Sequence, residues 1–141
     1  MNYSKIKFLT FFAIICSIGL APINDAYAAV DTWTAATTTN VGSNQMRAVS
    51  MTDASNGVAV GYAGQIVFTT NGGVDWTAAT TLGGIGGSHM NGVSMTDASN
   101  GVAVGYYGKI IFTTNGGVDW TAATTTNTGG KVMHAVSMSD A

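Results

Sequence analysis

The stretch Phe68-Thr-Thr-Asn-Gly-Gly-Val-Asp-Trp76-Thr-Ala-Ala-Thr-Thr81 returns letter for letter as Phe112 to Thr125. Each copy reads as the end of one β-strand, a glycine turn and the start of the next strand. Thr69 and Thr70 are β-branched and suit a pleated surface. Asn71-Gly72-Gly73 supplies residues that accept the positive φ angles of a tight hairpin. Asp75 and Trp76 open the returning strand, and the indole is the largest apolar group the stretch can offer to a core. Nothing in it pairs a nucleophile with a base. It is a fold signal first.

Working outward, Trp33, Trp76 and Trp120 lie 43 and 44 residues apart, and the text between them repeats with few changes. Val49 to Tyr62 is identical to Val93 to Tyr106, and a third copy runs from Lys131 to Ala141. Periods of about 40–45 residues with four short strands each mark propeller blades. A helical repeat of that length would need apolar residues at three- and four-residue spacing, which this text lacks.

Alternation of side chains drafts each blade. Met46 to Met51 forms a first strand, and Val58 to Tyr62 a second with Val58, Val60 and Tyr62 on one face. Gln65 to Thr70 forms a third with Ile66 and Phe68 inward, and Val74 to Thr80 a fourth. The fold class expected is all-β, with blades of four antiparallel strands over about 44–80 and 88–124. Lone strands are expected at 31–38 and 131–138, the whole lying in a domain of residues 29–141. Closed propellers have about four to eight blades, so this strand count leaves the ring incomplete. The text stops at Ala141 inside a turn that elsewhere continues as Ser-Asn-Gly, and reads as a truncated frame or a fragment of a longer array.

The pattern Thr69-x-Asn71-x-Gly73-x-Asp75-Trp76 resembles the Asp-box of bacterial neuraminidase-type repeats, with Asn in place of the usual Asp. Its second copy carries Thr113, Asn115, Gly117 and Trp120, and the resemblance makes all eight residues structural. The longer string from Gly57 to Trp76 is similar to the blades of the photosystem II stability/assembly factor family. That resemblance spans Trp33 to Ala141 and implies a seven-bladed propeller that docks a protein segment while a membrane complex is built. It carries less weight for function than for fold, because one fold hosts many roles.

Residues 1–28 read as a secretion signal. Lys5 and Lys7 precede an apolar run from Phe8 to Leu20, and Ala26-Tyr27-Ala28 gives the small-x-small cleavage pattern. The apolar run is well short of the ~20 residues of a bilayer-spanning helix. Export to the periplasm or the extracellular space is therefore expected, without membrane insertion after cleavage. Cys16 is the only cysteine and lies inside this segment, so the mature chain has no thiol chemistry.

Beyond residue 28, six aspartates and no glutamate face three basic residues, Arg47, Lys109 and Lys131. A net negative chain lacks the basic footprint that nucleic acids require. The same count argues against anionic membrane surfaces. Sialidase chemistry fails at the residue level, since it needs an arginine cluster and a Tyr–Glu pair. Paired-carboxylate glycoside hydrolysis would have to rely on Asp alone. Asp53 and Asp97 stand in repeated turns, where Asp commonly bonds nearby backbone amides. Two histidines without further ligands make no metal set, and the recurring methionines read as core filler. No enzyme activity, cofactor or metal is expected.

Variation between the copies is the remaining signal. Arg47, Asn91 and His134 take equivalent places on the first strand of successive repeats. The turn after the second strand offers Gln65 in one copy and Tyr107 with Lys109 in the other, and His89 precedes the second blade. In an up-and-down blade these positions emerge on one rim, while the turns on the opposite rim are identical. Such a variable rim on a rigid frame is a candidate binding surface. The function expected is an exported, non-enzymatic protein-binding or assembly module. The alternative is a secreted glycan- or surface-binding repeat protein, its rim aromatics stacking on sugars. Near-identical blades also lead us to expect self-association if the chain is complete.

Overall fold

The computed structural model describes residues 34–125 and 128–139. The signal segment and Trp33 lie outside them. Ten strands occur among the described residues: β1 (Thr37–Thr39), β2 (Met46–Met51), β3 (Gly57–Gly61), β4 (Ile66–Thr69), β5 (Asp75–Ala78), β6 (Thr81–Leu82), β7 (Met90–Met95), β8 (Gly101–Gly105), β9 (Ile110–Thr113) and β10 (Asp119–Ala122). They form two sheets, ordered β1-β5-β4-β3-β2 and β6-β10-β9-β8-β7. In each sheet the last four strands in this order are an antiparallel meander, as the alternation predicts.

The fifth strand of each sheet departs from the expectation. β1 pairs with β5 in parallel, Thr38 opposite Trp76, and β6 pairs with β10 in parallel, Leu82 opposite Trp120. Thr37 N–H donates to Val74 O at 2.8 Å, and Thr80 N–H donates to Val118 O at 2.8 Å. The threonine run after each Trp therefore leaves its own blade and ties down the outer edge of the next. Alternation cannot reveal this, because a threonine run satisfies either pairing. A blade here has five strands, and among the described residues the strand expected over 31–38 is only Thr37–Thr39.

The segment expected as a strand at 131–138 has no strand pairing. It nonetheless docks against the second blade: Met133 N–H donates to Gly105 O at 3.0 Å, and Met138 N–H donates to Ser94 Oγ at 3.1 Å. In the first blade Ser50 Oγ accepts Met95 N–H at the same distance. The segment thus lies where the first strand of a following blade belongs, and among the described residues it ladders with no second strand.

The core lies between the two sheets. Val58, Val60 and Ile66 of the first blade pack with Met90, Val93, Ile111 and Trp120 of the second. The glycine-rich connection between blades is pinned by Ile85, which is buried in the same cluster. Complete burial of such aliphatic side chains contributes roughly 1.5–3 kcal/mol each. Gly61 and Gly105 let the first strand of each blade come close: a Cβ at Gly61 would stand 2.1 Å from Gln45 O, and one at Gly105 the same distance from His89 O.

The repeated turn explains its own letters. Thr69 Oγ1, buried, donates to Asn71 Oδ1 at 3.0 Å and accepts Gly73 N–H at 2.9 Å. Asn71 Oδ1 also accepts Asp75 N–H at 2.9 Å, and Asn71 Nδ2 donates to Asp75 Oδ2 at 2.7 Å. Gly72 and Gly73 take φ of 73° and 89°. Thr113, Asn115, Gly117 and Asp119 repeat these bonds in the second blade.

Candidate binding site on one rim

The first strand of each blade is bulged at its start. In β2 the register passes from Met46 opposite Gly61 to Ala48 opposite Val60, so Arg47 is the extra residue. In β7 the same shift between Met90 and Gly92 leaves Asn91 as the extra residue. A bulge re-aims the side chain it carries, and here it turns Arg47 toward the second blade. Arg47 Nη1 donates to Asn91 Oδ1 at 2.7 Å across the blade boundary. Arg47 Nη2 donates to the Tyr62 hydroxyl, and the guanidinium carbon lies 4.3 Å from the centre of the Tyr62 ring. The bond to Tyr62 raises Arg47 above its already high value, so the cation stays charged at any working pH.

His89 completes the cluster. Its Nδ1 accepts Ala63 N–H at 2.9 Å, which places the ring proton on Nε2. Tyr62 and Tyr106 meet the imidazole edge-on, at centroid distances of 4.3 and 5.1 Å. Tyr106 in turn meets Tyr107 at 6.3 Å. Asn91 hands the network on, its Nδ2 donating to Met133 O at 2.8 Å.

Tyr107 is exposed, at 70 %. Its backbone is left-handed, φ 56° and ψ 29°, as is that of its counterpart Ala63. A bulky residue seldom takes this conformation. Strained backbone of this kind concentrates at ligand-contacting sites, and at this turn it holds an aromatic ring out into solvent.

Of the seven rim residues expected from variation, the structure brings Arg47, His89 and Asn91 into direct or shared contact, with Tyr107 at the edge. Gln65 and Lys109 serve another purpose: Gln65 Nε2 donates to Gly42 O at 3.1 Å and Lys109 Nζ to Gly84 O at 3.2 Å. Both strap the turn to the neighbouring connection. His134 sits exposed on the 131–138 segment. Tyr62 and Tyr106 are identical in both copies, so variation between the copies does not mark them. The signal that could have found them is an aromatic at the end of each second strand, beside the variable turn.

The opposite rim carries the aspartate turns. Asp53 is lowered to about 2 by bonds from the Asn56 side chain and from the Ser55 and Asn56 amides. Asp97 is lowered by its bonds from Asn100 and Ser99. Their carboxylates are occupied in holding backbone. The variable rim offers a fixed cation, aromatic faces and an amide, which together suit a carboxylate or an extended peptide.

No protein-family model and no curated protein matches the chain. Among solved structures it is similar to one described as "YCF48 bound to D1 peptide", with 22% sequence identity and a TM-score of 0.60. The match covers 67% of this chain and 31% of that one, so the chain spans about a third of its length. At that identity the likeness is one of fold, and it agrees with two propeller blades.

Proposed function

We propose that this is an exported, non-enzymatic propeller-repeat module that docks an extended protein segment on the rim built by Arg47, Tyr62, His89, Asn91, Tyr106 and Tyr107. The observation that carries the reading is the pinned Arg47 guanidinium, bonded to both Asn91 and Tyr62 across two blades. An arginine held in place beside open aromatic rings loses little freedom on binding, and Arg and Tyr are the residues that dominate protein interfaces. A propeller of similar fold has been solved with a peptide bound, which supports a peptide ligand over a glycan. Export rests on the signal-like residues 1–28.

A random-peptide display library panned on the purified chain tests the docking. Selected peptides should lose about tenfold or more in affinity against Arg47→Ala and against Tyr107→Ala, on the order of 1.4 kcal/mol or more each. Failure to enrich any peptide, or enriched peptides indifferent to both changes, overturns the site; binding on a glycan array alone would move it to the carbohydrate class. Intact mass of exported material should correspond to a chain beginning at Ala29.

A further inference from the structure

We propose that the two outer faces of the blade pair recognise each other, so that copies of this chain stack head to tail through a repeat of the interface inside each chain. The interface between the blades joins two sets of residues, and each set has a second copy facing outward. Val58, Val60, Ile66 and Phe68 of the first blade recur as Val102, Val104, Ile110 and Phe112. Met90, Val93 and Trp120 of the second recur as Met46, Val49 and Trp76. Where the partner is present the residues are covered: Val93 is 8 % exposed and Trp120 1 %. Where it is not, several are more open, with Val49 at 61 %, Met46 at 39 % and Phe112 at 38 %, Trp76, Val102 and Ile110 half-buried, and Val104 alone still buried.

The occupant is a second copy because each outer face carries the same apolar residues as one whose match is already seen, differing on the first strand where Arg47 and Ala48 stand for Asn91 and Gly92. Inside the chain a Cβ at Gly117 would stand 2.6 Å from Val58 Cγ2 and 3.4 Å from Phe68 Cβ, so the second hairpin seats closely on the first blade. At Gly73, in the hairpin built from the same residues, the nearest atoms to such a Cβ belong to the Trp76 ring of the same hairpin, at 3.5 Å and beyond. Between chains it would seat on Val102 and Phe112. One obstacle is built in: the 131–138 segment occupies the place of an incoming β2. It is held there by hydrogen bonds at Lys131, Met133 and Met138 without strand pairing, whereas β2 arrives already laddered to β3, so association displaces the segment. The contact is heterologous, one face to a different face, and therefore continues into rings or open stacks.

Lysines at the two faces test this. The parent full chain should gain mass with concentration in sedimentation, and exchange at the Val132 to Val136 amides should quicken as it does. Val49→Lys closes the head face and Phe112→Lys the tail face, both at exposed positions, and each variant alone should remain a monomer. Mixed, they should form one-to-one heterodimers and nothing larger, since one intact head meets one intact tail. Val74→Lys, also exposed on the head hairpin, replaces Val49→Lys if that variant unfolds, and Phe112→Ser replaces Phe112→Lys in the same way. A parent that stays monomeric overturns the proposal. So does a single variant that still self-associates, or a mixture of folded variants that does not pair.

Discussion

The hairpins at 68–81 and 112–125 share every residue, and their turns close with the same set of side-chain bonds. Their tryptophans nevertheless live in different surroundings. Trp120 is buried under the first blade, and its Nε1 donates to Gly117 O at 2.9 Å. Trp76 is half-buried, its ring lying over Gly73, with Nε1 3.5 Å from where a Cβ there would stand. The turn is a local device, carried by Thr, Asn and Gly in either setting. Burial of the ring is a property of the neighbour.

That contrast has measurable consequences. Trp120→Ala removes a fully buried indole and should cost ~3–5 kcal/mol. Trp76→Ala should cost less than half of that, because the ring gives up less surface. Urea unfolding of the two variants beside the parent gives the difference, and equal losses would mean that Trp76 is covered in solution.

The glycines sharpen the same point. Gly73 and Gly117 have φ of 89° and 91°, so alanine strains both alike. Only Gly117→Ala also drives a methyl into Val58, adding ~1–3 kcal/mol of overpacking. Unfolding midpoints should fall in the order parent, Gly73→Ala, Gly117→Ala.

A smaller effect is expected at the turn after the second strand, where the left-handed residue is Ala63 in one blade and Tyr107 in the other. Glycine relieves the backbone strain at either position, a gain of up to ~1 kcal/mol. Tyr107→Gly should keep that stability while losing peptide binding, and Ala63→Gly should leave binding unchanged. Separating the two readouts shows whether the exposed ring or the turn itself serves the rim.

The smallest effect is the response to acid. Folded Asp53 titrates at about 2, below the ~3.9 of an unconstrained aspartate. Its contribution is fully present above the unfolded value and is lost as pH falls through the folded one. The Asp53 turn should therefore loosen between about pH 4 and pH 2, seen as faster exchange of the Ser55 and Asn56 amides. Asp97 is shifted in the same direction for the same reason. Asp53→Asn should remove the pH dependence from the first blade alone.

Much of the blade is legible in the sequence. Val58, Val60 and Ile66 face the core as their alternation predicts, and Gly72 and Gly73 take the positive φ angles expected of them. The edges were not legible. Thr37–Thr39 and Thr81–Leu82 join the following sheet in parallel, a pairing set by what lies beside them and not by their own pattern. The rim was half legible: variation pointed to Arg47, His89 and Asn91, but gave no hint that two invariant tyrosines would hold them together.

What the sequence determined by itself is what depends on neighbours along the chain. The period, the meander, the glycine turns and the Thr–Asn–Asp bonding within each hairpin follow from φ preferences and side-chain alternation, so they are alike in both copies. What only the tertiary structure decided depends on neighbours in space. Arg47 reaches Asn91 because a bulge lies at a blade boundary, and Trp120 is buried while Trp76 is not because a second sheet covers only one of them. Identical residues have identical local preferences, and only a non-local contact can tell them apart.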